Sequence, residues 1–126
     1  MSKFFEIVEE ICLQDNRYKP DAYEFVLQGL TFTQNKLKLS GHVSGGQLAL
    51  GLRDFAVNQY GGLAKTVLQY WGITRTQDFG NIVFNLIEKK LFSKTEEDKL
   101  NDFKQVYDFD AAFKDILQEN MDQELK

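Results

Sequence analysis

Few residues in this chain have types and spacings suited to chemistry. Gln77, Asn81 and Asn85 recur every four residues, with Arg75 just before them. On one face of a helix, such a stripe would offer amides to adenine edges and a guanidinium to guanine. It would serve equally as a neutral solvent face or as a surface that docks another subunit. His42 is the one histidine and stands two residues ahead of Ser44. Before a helix start it would act as a general base or help hold an anion at free N–H groups. The plainer reading is a loop imidazole that orders the helix entry through a carbonyl. Neither a cysteine, a second histidine nor a nucleophile accompanies it, and Ser44 reads as an N-cap.

Glu96, Glu97, Asp98 and Asp102 form a carboxylate cluster. It lacks the alternating oxygen ligands and tight-turn glycine of a calcium loop, and reads as a solvated acidic face. The single Cys12 forms neither an internal disulfide nor a multi-thiolate metal site. The residues therefore point to no catalytic set, no metal and no cofactor. The partner-binding candidates are Arg75, Gln77, Asn81, Asn85 and His42.

Composition sets the frame for these residues. The chain has 126 residues, 43% hydrophobic and 27% charged, which suits one soluble globular domain. The expected division is a single helical domain over 1–117 and a polar, fraying tail over 118–126. Glu6, Glu9 and Glu10 interrupt any signal-like apolar run near the start. Nothing approaches the ~20 apolar residues of a membrane span, so the expected location is cytoplasmic. Charge is uneven: residues 41–92 carry five basic and three acidic groups, residues 93–126 five basic and ten acidic. A dedicated DNA binder has a clear basic excess, and this chain has none.

The elements that must position the candidates are helices. Phe4, Val8, Ile11 and Cys12 share one helical stripe, with Ser2 as its cap and an end near Asn16. Pro20 opens a second helix with Tyr23, Val26, Leu27 and Leu30 inward. The threonines from Thr31 weaken it, and Gln34 to Gly41 reads as a polar connection. Ser44 and Gln47 have capping-box spacing, and Leu48, Leu52, Phe55, Ala56 and Gln59 follow one face. Gly61-Gly62 stops that helix. Leu63, Ala64, Val67, Leu68 and Trp71 form the next, which Gly72 ends. Thr76 caps a fifth helix that buries Phe79, Ile82, Val83, Leu86 and Ile87. Asp108 caps a last one. Gly29, Gly51 and Gly80 lie inside helical patterns, which close helix crossings would compensate.

The succession of helix, glycine, short turn and capped helix ending in Lys89-Lys90-Leu91-Phe92 has the form of a winged helix. The expected fold is mainly α. Five or six helices surround a three-helix, winged-helix-like core over Ser44–Phe92, with a small β-wing near residues 91–109. Tyr18, Phe32, Tyr60, Tyr70, Tyr107 and Phe109 fall outside the inward stripes. Eleven Phe, five Tyr and one Trp exceed the needs of a small core, and aromatic residues are enriched at interfaces.

Several phrases together resemble a known family: His42-Val43-Ser44-Gly45, Trp71-Gly72-Ile73, the run from Asp78 to Leu86, Lys94 to Asp98, Asp102-Phe103 and Tyr107-Asp108-Phe109. They are similar to a small bacterial family of conserved hypothetical proteins of planctomycete and verrucomicrobial type. Gly46-Gln47 and Gly62 depart from its usual polar pair and helix-starting proline. The resemblance implies a bacterial cytoplasmic protein and no mechanism. The function expected is a non-catalytic protein–protein interaction or adaptor module, with a protein partner or a homo-oligomer. The alternatives are a winged-helix DNA- or RNA-associated regulator and, second, an enzyme using His42.

Electrostatics yields the first prediction. Arg75, Lys89 and Lys90 are interleaved with Asp78 and Glu88, so phosphate neutralisation is weak. Binding to random duplex DNA at physiological salt is expected to be no tighter than ~10⁻⁴–10⁻⁶ M. Titration of labelled duplex at two salt concentrations measures it. Tight, steeply salt-dependent binding that is lost on Arg75→Ala would promote the regulator reading.

Overall fold

Local signals set most of the helix boundaries. The computed structural model describes residues 3–39, 43–92 and 100–113. Five α-helices follow one another among them: α1 (Lys3–Gln14), α2 (Pro20–Leu37), α3 (Gly45–Tyr60), α4 (Ala64–Tyr70) and α5 (Thr76–Glu88). A 3-10 turn, Gly61–Leu63, leads into α4; a second, Leu100–Phe103, precedes a helical turn over residues 109–113.

Pro20 occupies the first turn of α2 after an extended Lys19, where its missing N–H costs nothing. At α3 the Ser44 hydroxyl accepts from the Gln47 amide at 3.1 Å, and the Gln47 side chain accepts from the Ser44 amide at 3.0 Å. That is the expected capping box. The end of α4 is a Schellman motif. The Gly72 amide donates to the Gln69 carbonyl at 3.0 Å and the Ile73 amide to the Leu68 carbonyl at 2.9 Å, with Gly72 at φ +95°.

The tightest packing is between α2 and α3. A Cβ on Gly29 would lie 2.2 Å from Leu52 Cδ2, and one on Gly51 would lie 1.9 Å from Thr33 Oγ1. Thr33 is buried there because its hydroxyl donates back to the Gly29 carbonyl at 2.7 Å. These glycines cost helix propensity and gain a close crossing, as expected for both. Around the crossing, Val26, Leu52, Leu68, Ile82 and Leu86 are fully buried. A row of rings runs from Phe32 through Phe55 and Phe25 to Trp71 and Tyr60, with centroids 5.1 to 5.8 Å apart.

Several expectations are corrected. The mainly α class stands, but the described residues contain no strand, and 100–113 are 3-10 turn and helix rather than a β-wing. Residues 93–99 lie outside the described set. A winged-helix core of α3 to α5 is likewise unsupported, because α2 is the principal partner of α3 and also packs on α5. α1 ends at Gln14, short of Asn16. α2 runs on to Leu37, since the inward Thr33 satisfies its own hydroxyl within the helix. Leu63 and Gln59 are exposed, not inward. Of the six aromatics placed outside the stripes, Tyr18 and Phe109 are buried, Phe32, Tyr60 and Tyr107 half-buried, and only Tyr70 exposed. The aromatic surplus is core. Ser2, His42, the cluster from Glu96 to Asp98 and the tail over 118–126 lie outside the described residues.

Two glycines of one helix should respond oppositely to alanine. Gly51→Ala forces a methyl group into buried Thr33, at a typical overpacking cost of ~1–3 kcal/mol. At Gly46 no atom lies within 4 Å of an added Cβ, so Gly46→Ala should stabilise by ~0.4–1 kcal/mol through the unfolded chain. Urea denaturation of both variants tests the crossing. An unchanged Gly51→Ala midpoint would mean that α2 and α3 do not approach so closely.

Candidate functional site

The α1–α2 loop, residues 15–19, lies against the turn after α4 and the inner side of α5. Gly72 makes this approach feasible, since a Cβ there would meet the Arg17 carbonyl oxygen at 2.2 Å. Beside it the Lys19 amide donates to the Trp71 carbonyl at 3.1 Å. The loop is thereby held so that its side chains reach the polar stripe of α5.

Tyr18 is 3% exposed, and its hydroxyl donates to Asp78 Oδ1 at 2.6 Å while accepting from Asn81 Nδ2 at 2.9 Å. Burial, followed by the bond to Asp78, pushes its phenol well above the ordinary tyrosine range. It therefore stays a neutral donor at any physiological pH. Asp78 stands in the first turn of α5. Its Oδ2 accepts from the Thr74 amide at 2.9 Å, the Arg75 amide at 3.2 Å and the Thr74 hydroxyl at 3.3 Å. The carboxylate thus caps the helix and favours its dipole. With Tyr18 it accepts four hydrogen bonds.

One turn further along α5, Asn85 Nδ2 donates to Tyr23 Oη and to Asp15 Oδ2, both at 3.0 Å. Burial raises the Tyr23 phenol to about 12. Asp15 is also gripped by Arg17, with Nε to Oδ1 at 2.9 Å and Nη2 to Oδ2 at 2.7 Å. That paired bond is the main reason its carboxyl sits well below the usual range. No buried side-chain nitrogen or oxygen among the described residues is without a partner.

The structure thus brings together Asn81 and Asn85 from the candidate stripe but turns both toward internal partners. Gln77 is half-buried and Arg75 exposed at the start of α5. His42 lies outside the described residues. Sequence reasoning missed Asp15, Arg17, Tyr18 and Tyr23, and read Asp78 only as a repulsive charge. Arg75, not Thr76, is the N-cap of α5, and the cap is supplied by Asp78. An acidic residue in the first turn was a detectable helix-start signal, whereas the tyrosine partners, 60 or more residues away, were not. Cys12, expected on a buried face, is half-buried, with its thiol directed to the Tyr18 carbonyl at 3.6 Å. Burial raises its pKa, with Asp15 adding to the effect. No cluster of three or more His, Cys, Asp and Glu suited to a metal ion occurs among the described residues, and no helix there is long and apolar enough to cross a membrane.

Chemically the arrangement is a closed set of donors and acceptors that ties the loop to α5. Tyr18→Phe should therefore cost ~1–3 kcal/mol, because Asn81 and Asp78 each lose a buried partner. Asp15 gives a pH signature. Its folded pKa is depressed, so its contribution is present above the unfolded value near 4 and is lost as pH falls toward the folded one. Arg17 is more than half exposed, which limits the contribution to ~1 kcal/mol or less. Denaturation of Asp15→Asn should show a deficit at pH 7 that narrows below about pH 4. A deficit independent of pH would assign the effect to packing.

Comparison of the chain with protein-family models, with curated proteins and with solved structures gives no match.

Proposed function

We propose that this chain is a bacterial cytoplasmic protein that works as a small, non-catalytic protein-interaction module. The observation that carries the reading is the outer side of α4 together with Leu63, the residue that leads into it from the 3-10 turn. Leu63 is 65% exposed and Tyr70 71% exposed, seven residues apart and so on one side of the segment. Thr66 between them is exposed and Val67 half-buried. Lys19 Nζ sits 4.9 Å from the Tyr70 ring centroid and steadies the ring by a cation–π contact. The adjoining Trp71 and Gly72 are anchored in the core and against the loop, so this surface is presented rigidly. Rigid display lowers the ordering cost of association, and an exposed tyrosine beside an aliphatic side chain suits a hot spot. Asn81 and Asn85 of the polar stripe, by contrast, are engaged within the molecule.

Affinity capture from native cells, with and without nuclease, tests the reading when wild type is compared with the double variant Leu63→Ser/Tyr70→Ser. Protein partners that survive nuclease and fall at least tenfold on the double variant are the expected result. Recovery that disappears with nuclease would replace this reading by a nucleic-acid role. Equal recovery on both chains would remove α4 as the interface.

A further inference from the structure

The segment from Phe103 to Phe113 has one helical turn, residues 109–113, and a cluster of its own rings, and the helical body holds it along its whole length. Its internal support includes the Ala112 amide to the Asp108 carbonyl at 2.8 Å, the Ala111 amide to the Asp108 carboxylate at 3.0 Å, and the packing of Phe109 on Tyr107 and Phe113. Further anchors come from α3, α4 and α5. Thr76 Oγ1 donates to the Phe103 carbonyl and accepts from the Val106 amide at 3.1 Å. Arg53 Nε donates to the Ala112 carbonyl at 3.2 Å, and the Tyr107 hydroxyl donates to the Ala49 carbonyl at 2.7 Å. Lys65 pairs with Asp110. Three rings fill the body's apolar surface: Phe103 lies over the Gly45 backbone, Phe109 packs on Phe79 with centroids 5.9 Å apart, and Phe113 is buried.

Side chains that hydrogen-bond a partner's main chain, combined with seats for spaced aromatic anchors, are how proteins recognise short peptides. We propose that α3, α4 and α5 form a peptide-binding groove, filled in this structure by residues 103–113 of the same chain, and that the same segment of a second copy takes that place by exchange. The occupant follows from the contacts. A second copy supplies the identical Phe103, Tyr107, Phe109 and Phe113, so the bound states in cis and in trans differ only in the tether. The tether gives the chain's own segment a high effective concentration, so it acts as a competitor that masks the groove. The inference does not depend on the exposed residues of α4.

A labelled synthetic peptide of residues 100–113, followed by fluorescence anisotropy, tests the groove in the full chain. Phe109→Ala weakens the segment in cis while leaving every groove residue unchanged. The Phe109→Ala chain should bind the peptide at least tenfold more tightly than wild type does, and a peptide carrying the same substitution should bind neither chain. Circular dichroism checks that the variant is folded. Should it unfold, Tyr107→Phe, which removes only the bond to the Ala49 carbonyl, takes its place. In wild type, the Val106 and Ala112 amides should exchange hydrogen ahead of those in the centres of α3 and α5. A folded variant that ignores the peptide, or amides that exchange only with global unfolding, would overturn the proposal.

Discussion

A phenol hydroxyl and a carboxylate that are both buried must find each other, and in this molecule Tyr18 and Asp78 meet at 2.6 Å across 60 residues of sequence. Leaving either group unpaired would carry the desolvation cost of a buried polar atom, of the order of 1–3 kcal/mol and more for a charge. That cost fixes the α1–α2 loop against the start of α5. Once the loop is there, its backbone approaches the turn after α4 so closely that residue 72 has to be glycine: its φ is +95° and an added Cβ would lie 2.2 Å from the Arg17 oxygen. The turn then places Trp71, whose ring packs between those of Phe25 and Tyr60. One hydrogen bond thus sets the relation of α1, α2, α4 and α5.

Small polar residues repeat this logic at two other joints. Thr33 donates to the Gly29 carbonyl within its own helix, which lets an otherwise apolar face bury a hydroxyl beneath the backbone of Gly51. Thr76, fully buried in the first turn of its helix, bridges the Phe103 carbonyl and the Val106 amide. In each case one hydroxyl satisfies backbone groups or itself, and close approach becomes affordable without an unpaired atom. The aromatic rings fill what remains, and this is why so many are needed by a chain of this size.

Much of this was readable from sequence where the cause is local. The Ser44–Gln47 cap, the glycine after Trp71, the proline of α2 and the inward register of Phe79, Ile82 and Leu86 all depend on residues within one or two turns of each other. The glycines at 29 and 51 gave away a close crossing, though not which helices cross. What failed was non-local. The threonines from Thr31 weakened the helix pattern because the burial of Thr33 depends on α3. Asn81 and Asn85 have the same period whether they face solvent or tyrosines supplied by α1–α2, so their polarity alone assigned no direction. Phe109 lay outside any inward stripe because its packing partner, Phe79, belongs to another helix 30 residues away. A winged-helix pattern was misleading for the same reason: helices α3 to α5 carry the right order of turns, but α2 rather than a wing covers their apolar sides.

The saturation of the α5 network bears on recognition as well as on stability. A side chain reads a partner with the donors and acceptors it has left, and Asn85 has both N–H groups engaged while the Asp78 oxygens accept four bonds. To reach a base edge or a substrate, these groups would first have to release Tyr18, Tyr23 or Asp15, and with them the loop that positions Trp71. Any ligand of this stripe would therefore have to replace several buried hydrogen bonds before gaining one. The outer side of α4 imposes no such exchange on the interior, whereas freeing the seat of residues 103–113 breaks the Thr76, Tyr107 and Arg53 bonds and uncovers three buried rings. Neither region includes the Tyr18–Asp78 link, so the binding proposed for either would leave the loop and Trp71 in place, as binding through the polar stripe would not.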